Sequence, residues 1–127
     1  MSDTLYETIG GRLRINAAVE LFYARVFADE SVQSFFEGVD VQSLHARQSM
    51  FVSMLLGGKK VYTGKDLREA HANARMKGMT DAHFDTMLKH FRAALDDIQV
   101  PLDRVVEIMA LLEGTRDAVL GRAHRHA

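Results

Sequence analysis

The residue best suited to chemistry is His71, which falls on an apolar face of the segment at residues 66–75. The helical spacing that places it there is shared with apolar and small neighbours, Leu67, Ala70 and Ala74. An imidazole turned inward must hydrogen-bond or bind a metal, because leaving it unsatisfied costs about 1–3 kcal/mol. Two interpretations therefore stay open: a core histidine bonded to a backbone carbonyl, and a metal ligand.

Two further polar residues interrupt apolar helical faces elsewhere in the chain. Tyr23 lies in the stripe of the first long predicted helix, and Gln48 stands where an aliphatic residue belongs in the second. A buried tyrosine usually finds a partner for its hydroxyl group, so Tyr23 is equally compatible with a core ring and with a site. A primary amide needs donors and acceptors that an empty apolar core does not supply. Both residues are candidates for an internal polar site.

A haem pocket accounts for the three polar residues together. A zinc site typically needs three or four protein ligands, which one inward histidine cannot provide. In haem the porphyrin supplies four nitrogens, and the protein needs to give the iron only one axial histidine. The Phe and Met side chains on the other inward faces suit a large flat apolar cofactor, although such stripes are also typical of ordinary core. The tyrosine hydroxyl and the glutamine amide would then face a ligand on the open side of the iron.

Helical periodicity predicts the elements that carry these residues, and no segment shows the alternation typical of a β-strand. The predicted elements are a short opening turn at 4–9, long helices at 13–28, 41–56 and 81–98, a helical turn at 29–36, the His71 segment, and a last helix that starts at Pro101 and includes Val119. We expect an all-α fold made of one domain, residues 1–127, with a frayed tail at 121–127.

The composition is that of an ordinary globular protein, with 47% apolar and 26% charged residues. A formal charge of −1 gives no reason to expect nucleic acid or an anionic membrane as a partner. The absence of cysteine excludes disulfides, thiolate metal sites and cysteine nucleophiles. The first residues lack the apolar stretch of a signal peptide, and no window approaches the ~20 apolar residues of a membrane span. We therefore expect a cytoplasmic protein.

Several short motifs follow one another along the chain: LYETIGG near the start, FYARVFAD, the pair Phe35-Phe36 before Gly38, the pair Gly57-Gly58, YTG, and LREAH. Their order and spacing resemble the truncated haemoglobins, specifically the first group of that family. The resemblance extends over about residues 4–120. It implies a two-over-two helical sandwich around haem b (iron protoporphyrin IX), with the proximal helix reduced to a brief turn.

The resemblance also implies roles for individual residues. His71 matches the proximal iron ligand, and Tyr23 and Gln48 match the distal hydrogen-bonding pair. Leu44 takes the distal position that many other globins fill with histidine, and Phe36 matches the ring that packs on the porphyrin. The other residues expected to contact haem are Arg47, Phe51, Tyr62, Leu67, Phe84 and Met87. A methionine at position 87, where a tryptophan would indicate another group, favours the first group.

Arg47 marks a departure from part of the family. Some relatives place a second histidine ligand at this position, but a guanidinium stays protonated and cannot ligate iron. Arg47, Tyr62 and a lysine of the pair Lys59-Lys60 are candidates for contact with a haem propionate, although solvated loop charges are an equally good explanation.

The remaining histidines are not expected to bind iron. His45 is expected to point away from the pocket. His83 and His90 lie seven residues apart on the long helix, where surface positions are expected and weak metal chelation is the alternative. His124 and His126 lie past the expected end of the last helix, so no histidine is placed there for a covalent link to haem.

These features favour a haem protein that reversibly binds O2 and the related diatomic gases NO and CO. Bound O2 carries partial negative charge, so each good hydrogen-bond donor contributes about 1–3 kcal/mol to its retention. Family resemblance implies an enzymatic alternative, a nitric oxide dioxygenase that converts NO to nitrate and needs a reductase partner. A third alternative is a haem-free helical interaction module, in which Tyr23, Gln48 and His71 bond to one another.

Overall fold

All regular secondary structure is helical in the part of the chain that the computed structural model describes, residues 4–57 and 64–122. The elements are α1 (Leu5–Thr8), α2 (Gly11–Phe27), a 3₁₀ turn (Gln33–Phe36), α3 (Val41–Gly57), α4 (Gly64–Ala70), α5 (Ala72–Met76), α6 (Asp81–Asp97), α7 (Leu102–Glu113) and α8 (Arg116–Val119). The predicted all-α class is therefore confirmed. None of the described helices is both long and apolar enough to cross a membrane.

The four long helices pack against one another through their apolar faces. Helix α2 contacts both α3 and α6, and α6 contacts α7. Apolar residues three and four apart along each helix share one face, and together they form the core. The largest fully buried side chains of the described core are Ile15, Val19, Val26, Val32, Val52, Leu95, Val105 and Ile108. Burying one such side chain contributes about 1.5–3 kcal/mol.

The first corner of the chain depends on local caps and on glycine. The backbone N–H of Glu7 donates to the Thr4 hydroxyl at 3.2 Å, and the Glu7 carboxylate accepts from the Thr4 backbone at 3.4 Å. Gly10 and Gly11 follow with φ of 109° and 75°, a region that side chains disfavour. The predicted stop at this glycine pair is confirmed, and α2 starts at its second member.

Two segments predicted as continuous helices are each divided in two. Helix α4 ends just before His71, which has a φ of −106° and a ψ of 11°, and α5 begins just after it. The last predicted helix is interrupted between α7 and α8, where the Thr115 hydroxyl donates to the Leu112 carbonyl at 2.7 Å. Such a local bond competes with helix continuation. Periodicity missed both breaks because the apolar residues keep helical spacing across them.

Two smaller expectations also need correction. Phe27, predicted on the inward stripe of α2, is 36% exposed because it is the last residue of the helix. In the predicted helical turn at 29–36, regular structure is confined to the 3₁₀ turn. Most of the tail that we expect to be frayed, residues 123–127, lies outside the described part of the chain.

Helix α8 is only four residues long and is held by charged contacts. Arg116 pairs with Asp81 at 3.0 Å, with Glu113 at 2.6 Å and with Asp85, and its guanidinium lies 4.7 Å from the centre of the Phe84 ring. The hydrogen bond to Glu113 is the largest cause that raises the pKa of Arg116. A planar guanidinium can satisfy several partners at once. It thereby fastens α8 to the start of α6 and the end of α7.

The turn after α2 is fastened to α6 through Asp29. One carboxylate oxygen accepts from the Ser31 backbone N–H at 2.9 Å and from the Ser31 hydroxyl at 2.8 Å. The other accepts from His90 Nε2 at 2.7 Å. The hydrogen bond from His90, followed by those from Ser31, lowers the pKa of Asp29 from 3.8 to about 2.

The lowered pKa of Asp29 makes the free energy of unfolding depend on pH. Because the carboxyl group has a lower pKa in the folded protein than in the unfolded chain, its bonds stabilise the fold above about pH 4. That contribution should disappear as the pH falls from about 4 towards 2. We expect Asp29→Ala to lower the free energy of unfolding at about pH 7, and the difference from the wild type to shrink below about pH 4.

Denaturant unfolding of both proteins at several pH values measures this difference. The control is Glu30→Ala, which changes an exposed neighbour that has no hydrogen-bond partner among the described residues. A difference between wild type and Asp29→Ala that stays constant down to about pH 2 would contradict the assignment.

Candidate functional site

A cavity of about 320 Å³, here called the inner cavity, opens among α2, α3, the α4–α5 junction and α6. Ten residues predicted for the site line it: Tyr23, Phe36, Leu44, Arg47, Gln48, Phe51, Leu67, His71, Phe84 and Met87. The eleventh, Tyr62, lies outside the described residues. Predominantly apolar walls with a few polar groups are typical of small-molecule sites. The structure thus brings the predicted residues together, while their individual roles stay predictions.

His71 enters the inner cavity from the break between α4 and α5. Its Nδ1–H donates to the Leu67 carbonyl oxygen at 2.9 Å. No described residue hydrogen-bonds to Nε2, the other ring nitrogen. Burial is the largest effect on the pKa of His71 and lowers it below its usual 6.5, with a smaller lowering effect from the charge of Arg75. The imidazole is therefore neutral at neutral pH, with one nitrogen fixed and the other available.

The contacts of His71 are compatible with both of the interpretations that the sequence left open. A bond from Nδ1 to a backbone carbonyl is what a core histidine would make. It is also the contact that orients a metal-binding imidazole and sets its tautomer. His71 is the one imidazole on the described walls, and most of the side chains around it are apolar. One neutral imidazole in such surroundings fits the role of a single axial ligand to haem iron.

Tyr23 and Gln48 reach the inner cavity from the packed pair α2 and α3. Tyr23 is 3% exposed, and its hydroxyl has no hydrogen-bond partner among the described residues. Burial raises the pKa of Tyr23 well above its usual 10, and the charge of Arg47 only partly opposes this. The phenol therefore stays protonated and can donate. The amide of the half-buried Gln48 also lacks a partner among the described residues.

Arg47 lies at the exposed edge of the inner cavity. Its Nε donates to the Ser43 carbonyl on the same helix at 3.4 Å, while its positive charge still acts on Tyr23. An exposed cation beside an apolar cavity suits a ligand with an acidic group at the cavity mouth.

Besides the ten residues predicted for it, twelve other described residues line the inner cavity, and four of these lie outside the predicted apolar faces: Val39, Asn73, Met79 and Thr115. Three of them lie in connections between helices, where helical periodicity carries no signal. Asn73 was placed on the outer side of a continuous helix. The break at His71 changes the register, so Asn73 contributes to the wall.

The wall formed by α8 is tied to the His71 region. The side chain of Arg75 donates to the Val119 carbonyl at 3.0 Å, and both Val119 and Thr115 line the inner cavity. Periodicity identified Val119 as apolar core, but gave no indication that this carbonyl would hold Arg75. The partner lies 44 positions away in the sequence.

A second and larger cavity of about 580 Å³, here called the outer cavity, has more polar walls. It is lined by Tyr6, Arg12, Asn16, Glu20, His45, Ala46, Ser49, Met50 and Ser53. His45 does not line the inner cavity, in keeping with the expected orientation away from it.

The two histidines of α6 take separate partners. The Thr80 backbone N–H donates to His83 Nδ1 at 3.0 Å, and the His83 ring lies 4.9 Å from that of Phe35. His90 Nε2 bonds instead to Asp29 at 2.7 Å, so the two imidazoles have different partners. Within residues 4–57 and 64–122, His71 alone among the histidines lines the inner cavity, and no group of three or more His, Cys, Asp or Glu side chains could hold a metal ion.

Sequence comparison connects this architecture to known proteins. The family model for bacterial-like globins matches residues 4–120. The chain is 37% identical over 120 residues to a group 1 truncated haemoglobin of Tetrahymena pyriformis, covering 94% of this chain and 97% of that protein. It is 36% identical over 110 residues to a group 1 truncated haemoglobin of Synechocystis sp., covering 86% and 89% respectively.

Solved structures agree with the sequence comparison. The 2/2 haemoglobin of Synechococcus sp. PCC 7002, in the cyanomet state and with covalently attached haem, has a TM-score of 0.87 at 32% identity, covering 94% of this chain and 100% of that one. The Fe(III) truncated haemoglobin of Tetrahymena pyriformis has a TM-score of 0.82 at 36% identity, covering 93% and 98%. The expected two-over-two helical sandwich is confirmed. The chain belongs to the bacterial-like globins and, within them, to the group 1 truncated haemoglobins.

Proposed function

We propose that this chain binds haem b through His71 and uses the inner cavity to bind O2 and related diatomic gases reversibly. The observation that carries the proposal is the state of His71, whose Nδ1 is fixed by the Leu67 carbonyl while Nε2 has no partner among the described residues. Haem would supply an iron centre with a coordination position open to a gas ligand.

The apolar walls of the inner cavity support the proposed haem-binding site. Aromatic and aliphatic side chains of the inner cavity would pack on the porphyrin, and those proposed for this role are Phe36, Leu44, Phe51, Leu67, Phe84 and Met87. The guanidinium of Arg47, at the exposed edge of the cavity, would pair with a propionate. A propionate contact from Tyr62, or from a lysine of the pair Lys59-Lys60, is a further part of the proposal and lies outside the described residues.

Tyr23 and Gln48 are the proposed polar contacts of the gas ligand. The Tyr23 phenol stays protonated and has no competing partner in the described part of the chain, so it is free to donate to a ligand with partial negative charge. The Gln48 amide, which is likewise free, would hold the phenol or meet the ligand itself. Neither side chain bonds to His71, so the haem-free core network considered above is not present among the described contacts.

The absorption spectrum of the purified protein with haem tests this function. We expect an intense haem band, reversible changes on exposure to O2 and CO, and a five-coordinate high-spin ferrous form when no gas is bound. The reason for five-coordination is that His45 lies at the outer cavity, His83 is bonded at Thr80, and Arg47 cannot ligate.

A protein that takes up no haem would contradict the proposal. A low-spin spectrum of two histidine ligands, lost on replacing His45 or His83, would contradict the geometry of the inner cavity. Nitrate formation from NO by the oxygenated protein, sustained by a reductase in the cytoplasm, would add the dioxygenase activity to reversible binding.

A further inference from the structure

Four rings of the described residues surround the buried ring of Tyr23. Phe22 and Phe27, from the same helix, have their centres at 4.7 Å and 5.9 Å from it. Phe36, from the 3₁₀ turn, lies edge-on at 5.7 Å. The fourth is His45, which stacks nearly parallel at 5.1 Å with an interplanar angle of 17°. His45 is the ring among these four that belongs to α3.

Because His45 lies on α3, its contact with Tyr23 joins α2 to the helix that carries Gln48. Phe22 and Phe27 move with α2 and therefore cannot fix Tyr23 relative to another helix. His45 and Gln48 lie three residues apart on α3 and are neighbours on its surface. The ring that stacks on Tyr23 therefore comes from the same helix surface as Gln48.

Hydrogen bonding does not account for an imidazole at position 45. Its Nε2 is buried and has no hydrogen-bond partner among the described residues. Buried polar atoms without a partner are rare in native proteins, and an aliphatic side chain would avoid this one. The stacking on Tyr23 is the specific contact that the described structure gives this ring.

We propose that His45 is a positioning residue whose ring, stacked on Tyr23, holds the Tyr23 hydroxyl beside Gln48 at the inner cavity. His45 itself lines the outer cavity and so acts on a bound ligand through Tyr23. The inference rests on the proposed function, because it assigns His45 a part in ligand retention.

Oxygen dissociation from the haem-loaded protein tests the role of His45. His45→Leu removes the ring and should speed dissociation about two- to ten-fold, the effect expected from losing one aromatic pair. In a Tyr23→Phe background the same change should have no further effect on dissociation, because His45 acts on the ligand through the Tyr23 hydroxyl, which this background lacks. His45→Phe keeps a ring and should stay near the wild-type rate. Ser49→Ala, one turn along α3 in the outer cavity, is the matched control.

Nuclear magnetic resonance of the diamagnetic ferrous CO form gives a readout independent of oxygen retention. The stack predicts nuclear Overhauser contacts between the rings of His45 and Tyr23, and ring-current shifts that Tyr23→Leu abolishes. His45→Leu should shift the Tyr23 ring resonances, whereas Ser49→Ala should not. If His45→Leu does not fold, absence of these ring contacts in the wild type still overturns the proposal.

The outcomes separate this inference from the proposed function. A wild-type dissociation rate in His45→Leu, together with faster release in Tyr23→Phe, would overturn the role of His45 and leave the distal donor intact. Equal acceleration by His45→Leu in both backgrounds would show a route that bypasses Tyr23 and would also overturn it. No effect of Tyr23→Phe would remove the donor from the proposed function, and the positioning role with it.

Discussion

His71→Ala should abolish tight haem retention, or leave a protein whose normal spectrum returns only with added imidazole. In the described part of the chain no other histidine lines the inner cavity, so nothing there can replace the lost ligand. We expect haem to transfer to an acceptor protein at least about 100-fold faster than from the wild type. Changes in the outer shell of a metal site alone typically cost about 10–100-fold in affinity, and His71 is the proposed ligand itself.

The matched control is His83→Ala, because His83 is bonded at the start of α6 and does not line the inner cavity. It should retain haem at the wild-type rate. Haem binding and a proximal-ligand spectrum that stay unchanged in His71→Ala would refute the assignment of His71.

Tyr23→Phe should speed O2 dissociation by about ten-fold or more. The substitution keeps the ring and its four neighbouring rings but removes the hydroxyl, and the loss of a charge-assisted hydrogen bond has about this size. Gln48→Leu should act in the same direction with a smaller effect. The double change should be less than additive if the amide holds the phenol, since members of one hydrogen-bond network do not contribute independently.

Stopped-flow replacement of O2 and CO on the four proteins measures these effects. Bound CO is less polar, so its dissociation should change far less than that of O2. The control is Thr115→Val, because Thr115 also lines the inner cavity but its hydroxyl donates to the Leu112 carbonyl. Equal shifts for both gases would indicate a steric effect instead of a lost hydrogen bond, and strict additivity would separate Tyr23 from Gln48.

The sequence by itself determined the helical class and the residues that matter most. Apolar residues at helical spacing make the long helices bury one face, and that spacing is a local property of the chain. Tyr23, Gln48 and His71 could be identified because each interrupts such a face. All three line the inner cavity, as do the seven other described residues named from the family resemblance.

Only the tertiary structure decided how these residues are held. The break at His71 and the bond from its Nδ1 to Leu67 are invisible to periodicity, because the apolar spacing continues across the break. The stack of His45 on Tyr23 and the contact of Arg75 with Val119 join residues far apart in sequence. Such contacts depend on how helices pack in three dimensions, and no local pattern of residue types encodes which distant partner a side chain will meet.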